Sequence, residues 1–297
     1  MEARNTTKKQ FIIYMIMAFG LGWIAEIIAS TVAVNYFQYI MMAGMFVPFL
    51  SVLIARIPLK GMGWVPHLKG KIRFIFFALY VPVLLSLLGG GLFFLIFPNT
   101  YDPEFTIIKE NLEATGALAL LEAQGMTLKA YMISSIIQSV TWAPFFNMFL
   151  ALGEEVGWRG AMYPYLKEKL GVTKGRIVGG VLWGAWHWPC MIFAGYEYGK
   201  EYFGAPVLGP VVFCVSAAAL GILIDYVYDK TKCIWLPALM HGSVNAFTIF
   251  LYMLKVENYD MVIFGPAYIG MISVIPMLLL AIILSLKAKK SNRGESE

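Results

Sequence analysis

Apolar residues run along this chain in long uncharged stretches, separated by short polar segments that hold most of the charge. Stretches of about 20 apolar residues are long enough to cross a bilayer core as helices. Eight are predicted: Phe11 to Val34, Phe37 to Ala55, Phe74 to Phe97, Tyr131 to Leu152, Ile177 to Tyr196, Pro206 to Tyr228, Ile234 to Leu254 and Val262 to Leu286. The first is too long for a signal peptide and lacks a small-residue cleavage site, so it reads as a mature span. The acidic segment Pro98 to Ala130 is predicted to hold a short surface helix at Leu112 to Leu121. The polar tail from Ser291 reads as a disordered end, and no internal repeat is present.

Composition agrees with lipid as the main solvent. The 297 residues are 59% hydrophobic and 14% charged, with a mean hydropathy of +0.70, whereas soluble domains carry roughly 25% charged residues. Cys190, Cys214 and Cys233 show no C-x-x-C spacing, which excludes a disulfide framework and a thiolate zinc cluster. The net charge of +5 is no nucleic-acid footprint, because the basic residues lie in short loops. With the N-terminus inside, 19 of the 23 Lys and Arg residues fall on the cytoplasmic side, against Lys109, Lys129, Lys200 and Lys255 outside. This asymmetry predicts an all-α polytopic membrane helix bundle of about eight transmembrane helices with both termini cytoplasmic.

Charged and imidazole side chains inside a bilayer are costly and mark functional candidates by default. The list is Glu26, Glu154, Glu155, His187, Asp225, His241 and Asn245; His67 sits in a basic loop and reads as solvated surface. Glu26 is expected to pair with a polar group of the bundle, and Asp225 to be an interfacial anion near Lys230. Trp158, Trp186 and Trp188 read as interface anchors in preference to the alternative, the lining of a cavity, and Ser243 beside Gly242 reads as a small helix-packing residue.

Three local patterns carry chemistry. In Glu154-Glu155-x-x-x-Arg159, neighbouring helical residues point about 100° apart, so the two glutamates cannot share a task. Arg159, four residues after Glu155, is placed to neutralise it, which leaves Glu154 to another partner. His187 lies about 15 Å into its span. His241 and Asn245 share one face of the seventh predicted span, one turn apart. Glu154, His187, His241 and Asn245 thus converge from three helices. Two chemistries are open to this set. Glu154 can pass a proton from water to a leaving amine, with the histidines orienting the water and Asn245 donating to an oxyanion. Alternatively, Glu154, His187 and His241 can ligate a metal with an open position for water.

At these residues the chain resembles the CPBP (Abi) family of intramembrane proteases, which includes the type II CAAX prenyl endopeptidases and bacterial relatives linked to bacteriocin processing and immunity. The resemblance rests on Glu154-Glu155-x-x-x-Arg159, on an aromatic-x-x-x-His motif at Trp183 to His187, and on His-x-x-x-Asn at His241 to Asn245. Trp183 stands where the family motif often has Phe, and an aromatic packing role is expected to survive the change. The resemblance implies a catalytic core at 131–254, preceded at 1–130 by three transmembrane helices and a loop and followed at 255–297 by a last helix and basic tail. It implies a CAAX-type intramembrane (metallo)endopeptidase. Glu154 would activate water assisted by His187, His241 and Asn245 would stabilise an oxyanion or bind metal, and Glu155 with Arg159 would give structural support. Zinc is the implied cofactor, a metal-free glutamate mechanism being the other option. The implied partners are membrane lipids and a membrane-associated peptide or protein substrate, with no nucleic acid, and the implied location is a bacterial plasma membrane with the site in its cytoplasmic half. A non-catalytic immunity or scaffold protein of the same fold and a proton-coupled transporter are the competing classes. The substrate-binding residues and the oligomeric state are not legible.

Overall fold

The computed structural model describes residues 6–294. Among them the chain is all-helical, with no strand and an isolated bridge between Tyr101 and Leu254. The helices are α1 (Lys8–Thr31), α2 (Phe37–Gly44), α3 (Val47–Ile54), α4 (Arg73–Ile96), α5 (Thr106–Ala114), α6 (Ala117–Ala123), α7 (Leu128–Val140), α8 (Ala143–Gly157), α9 (Tyr163–Leu170), α10 (Val172–Trp186), α11 (Trp188–Ala194), α12 (Leu208–Thr231), α13 (Trp235–Ala246) and α14 (Ile275–Gly294).

Five of the described stretches are long and apolar enough to cross a membrane, and up to seven if each bent pair forms one span. Several predicted spans change shape. The second and fourth are broken, α2 bending by 50° into α3 and α7 by 55° into α8–α9. Pro48 and Pro144 stand in the first turn after each break, and a proline there has no N–H with which to continue the preceding helix. The eighth shortens to an apolar helix over Ile275–Lys287, because a 3-10 segment ends at Ile263 and 264–274 follows as turns and bends. The acidic loop holds two short helices, split at Gly116 with φ +70. The end read as disordered is helical through Gly294, and its last three residues lie outside the described ones.

The core forms where backbones approach closely. Apolar area gives helices little drive to associate in lipid, so small residues that let main chains touch become decisive. On α10, a Cβ at Gly184 would lie 2.7 Å from Cys214 Cα of α12. On α13, one at Gly242 would lie 2.6 Å from the Met148 nitrogen of α8. These contacts seat α8, α10, α12 and α13 around one another, with α1, α3 and α4 packed on their outer sides. Ser243 also holds a neighbour, its hydroxyl donating to the Leu79 carbonyl of α4 at 2.6 Å.

Candidate active site

Glu154 and Glu155 end α8, and both are buried. Their neighbours divide as the 100° offset requires. Glu155 Oε1 accepts from Arg159 at 3.0 Å and lies 2.8 Å from His241 Nδ1. Arg159, fully buried, also reaches the Gly221 carbonyl and lies over the rings of Tyr163 and Trp183, 4.6 and 4.7 Å from their centroids. Glu155 Oε2 and Arg159 Nε have no partner, so this pair is tightly packed but incompletely bonded. A π turn at Trp158–Met162 carries the chain out of α8 at this point, a local insertion common at functional sites.

Glu154 turns the other way. Its Oε2 accepts two indole N–H groups, from Trp158 at 3.0 Å and Trp183 at 2.9 Å. Both donors were readable in the sequence only as spacings, Trp158 four residues after Glu154 and Trp183 four before His187. The role expected of Trp183 was packing alone; its indole is also a donor, which phenylalanine cannot be. Trp158 and Trp186 are 0% and 2% exposed, which corrects their reading as interface anchors; Trp188 is partly exposed.

His187 lies at a break rather than inside a helix: α10 stops at Trp186, and α11 begins at Trp188 with Pro189 in its first turn. Its Nδ1 lies 3.1 Å from the Trp183 carbonyl. A carbonyl only accepts, so Nδ1 carries the proton and Nε2 keeps its lone pair. Helix α1 braces this break on both sides. Trp186 Nε1 donates to the Ala18 carbonyl at 2.9 Å, Trp23 Nε1 donates to the Ala185 carbonyl at 3.3 Å, and Glu26 Oε2 accepts the Cys190 N–H at 3.2 Å. Glu26 therefore has the polar partner expected of it, with its other oxygen unpartnered.

Glu154, His187, His241 and Asn245 all line one cavity of about 630 Å³. The apolar part of its wall includes Met41, Met45, Phe213 and Leu220, and its lining includes the exposed side chains Gln38, Met42 and Phe146. One lining residue that sequence reading missed is Glu197, in the loop between α11 and α12. Burial pushes its carboxyl up to about 7, opposed by the neighbouring Tyr196 hydroxyl. Asp225 stays outside the cavity. It is fully buried rather than interfacial, and accepts from Lys167 at 2.8 Å and from Arg176 at 2.6 Å. It ties α9, α10 and α12 together.

The candidate zinc ligands do not gather as a ligand set. Among the described residues no group of three or more His, Cys, Asp or Glu side chains is placed to hold a metal ion. The residues as placed do not fit that metal.

Residues 129–247 match the family model described as Type II CAAX prenyl endopeptidase Rce1-like. CAAX prenyl protease 2 of Methanococcus maripaludis is 31% identical over 102 residues, 34% of this chain and 37% of that protein. The chain thus aligns with little more than a third of that relative's length. The matched segment contains Glu154, Glu155, Arg159, Trp183, His187, His241 and Asn245, so the resemblance carried by the three motifs extends over the helices that hold them.

Proposed function

We propose that this chain is an integral membrane endopeptidase of the type II CAAX kind, hydrolysing a peptide bond of a membrane-associated peptide or protein with water activated by Glu154. The observation that carries this reading is the Glu154 carboxylate, buried in the wall of a roomy cavity and fixed by two indole donors beside two imidazoles and an amide.

Water between Glu154 and His187 gives a proton to the free edge of the Glu154 carboxylate, while the Nε2 lone pair of His187 accepts its second O–H and aims the oxygen lone pair. Attack on the carbonyl carbon forms a tetrahedral oxyanion. The Asn245 amide donates to it, with the His241 ring beside it. Glu154 then returns the proton to the leaving amine as the C–N bond breaks. The Trp158 and Trp183 donors keep Oε2 still throughout, and Glu155 with Arg159 holds the His241 ring in place. No step passes through a metal.

Following the positive-charge asymmetry, we place both termini on the cytoplasmic side of a plasma membrane, bacterial by the sequence reading; Gln38 at the start of the second span and Glu197 in the loop after α11 then put the mouth of the cavity toward the opposite side. A membrane-anchored peptide would enter past Gln38, Met42 and Phe146. Glu154→Ala, compared with wild type at equal membrane abundance, tests the reading. Peptidase activity is expected to fall by about a hundredfold or more, the size of a general acid–base contribution. A scaffold would keep its function in that variant, and a proton-coupled transporter would lose pH-dependent flux without any cleavage by wild type.

A further inference from the structure

The cavity holds a second carboxylate that the chemistry above does not use. Glu197 lies in a loop whose residues 195, 197 and 199 all have positive φ, +74, +70 and +71. The outer two are glycines, for which this conformation is free; for glutamate it is strained, by about 1–2 kcal/mol. The chain holds a charged side chain where glycine would fold more easily, and that side chain lines the cavity.

No cation of the described residues pairs with it. Glu197 forms no ion pair among the described residues, and only burial and the Tyr196 hydroxyl act on its carboxyl. Of the side chains that line the cavity, none is Lys or Arg, whereas Glu154 and Glu197 both are acids. The groups around Glu197 are Tyr196, Tyr259 and Tyr268, which line the cavity with it. Their hydroxyls are held above the ordinary tyrosine range, Tyr196 chiefly by the charge of Glu197 and the other two chiefly by burial, so at neutral pH they offer uncharged rings. A half-buried acid beside tyrosine side chains, in a cavity lined by no Lys or Arg, is complementary to an ammonium or guanidinium group: a cation beside it favours the ionised carboxylate, which supplies the counter-charge, and the rings add cation–π attraction.

We propose that Glu197, with the rings of Tyr196, Tyr259 and Tyr268, is a subsite that receives a lysine or arginine side chain of the peptide substrate close to the bond that is cut. This rests on the peptidase reading and gives that site a substrate class: peptides basic near the scissile bond, with acidic ones disfavoured.

The test uses the full chain in liposomes and membrane-anchored fluorogenic peptides that differ only by Lys, Gln or Glu at each of the three positions on either side of the cut. Wild type is expected to favour Lys over Glu by about tenfold or more in kcat/KM at one position. Glu197→Gln is expected to bring that ratio within about twofold, and Glu197→Lys to reverse it. Each ratio is internal to one variant, so differences in yield do not enter. Binding of the labelled Lys and Glu peptides to Glu154→Gln, with and without Glu197→Gln, separates the two claims. Preferential Lys-peptide binding that Glu197→Gln removes, with no cleavage by wild type, would uphold the subsite and sink the peptidase reading. Cleavage with no Lys preference in wild type, or with the same ratio after Glu197→Gln, would overturn the subsite and leave the peptidase reading standing.

Discussion

Trp183 concentrates three contacts in one side chain: its indole N–H holds Glu154, its ring faces Arg159, and its edge meets His241 with centroids 5.1 Å apart. Trp183→Phe keeps the ring stacking and removes the donor. A hydrogen bond to a charged group is worth about 1.5–3 kcal/mol, so kcat is expected to fall by about tenfold to a hundredfold with KM little changed, as steady-state kinetics on one reporter peptide would show. Arg159→Ala is a different kind of change. It strands Glu155 and His241 in the interior, and breaking one side of a buried pair costs about 3–5 kcal/mol; a large drop in the melting temperature of the detergent-solubilised protein is the expected sign. Glu197 links pH to stability. Its folded carboxyl, raised from 4.5 to about 7 by burial, binds its proton more tightly than the unfolded one. The native state therefore loses stability as pH rises from about 4.5 to about 7. Glu197→Gln is therefore expected to flatten this part of a melting-temperature profile. The separate tasks of Glu154 and Glu155 were legible from helix geometry alone. The indole donors were not, because an aromatic four residues from a polar group looks the same whether it packs or donates. Glu197 was hidden just beyond a predicted span, in a left-handed conformation that glutamate rarely takes.

At the scale of elements, helix breaks place the chemistry. Were α10 to run on through His187, that residue would be one more turn of a straight span; the stop at Trp186 and restart at Trp188 instead turn its ring against the Trp183 carbonyl. The brace that holds this break comes from α1, outside the segment that matches the family. Glu26→Ala leaves the Cys190 N–H without its acceptor, and Glu26→Gln supplies an amide oxygen in its place. Cleavage is expected to fall in the first and to be largely restored in the second, and equal loss in both would count against the brace. Gly22→Leu would drive a side chain into the Trp186 indole and is expected to disable the protein by the same route. The sequence made apolar length legible, so the helices appear close to where the runs lie. It left the breaks at Met45 and Trp142 hidden, since a proline inside an apolar run signals a kink in one span as readily as a joint between two helices.

The whole molecule is a membrane bundle with a deep polar cavity, and the three motifs that marked the site in the sequence do meet there. What the sequence could not supply was the ligand geometry: one carboxylate and two histidines suit a metal or a proton shuttle equally well until the relative placement of their side chains is known. Here no three such groups are placed to hold an ion among the described residues, and Glu154 is held by two tryptophans. The central claim is hydrolysis at Glu154 without a metal-dependent step. The most direct measurement is mass spectrometry of a membrane-anchored peptide incubated in ¹⁸O-labelled water with wild type and Glu154→Gln in liposomes, with and without a strong chelator. The account expects one new carboxyl terminus carrying the label, formed by wild type regardless of chelator and absent with Glu154→Gln. Labelled product from Glu154→Gln at the wild-type rate, or product from wild type that chelator abolishes and zinc restores, would contradict it.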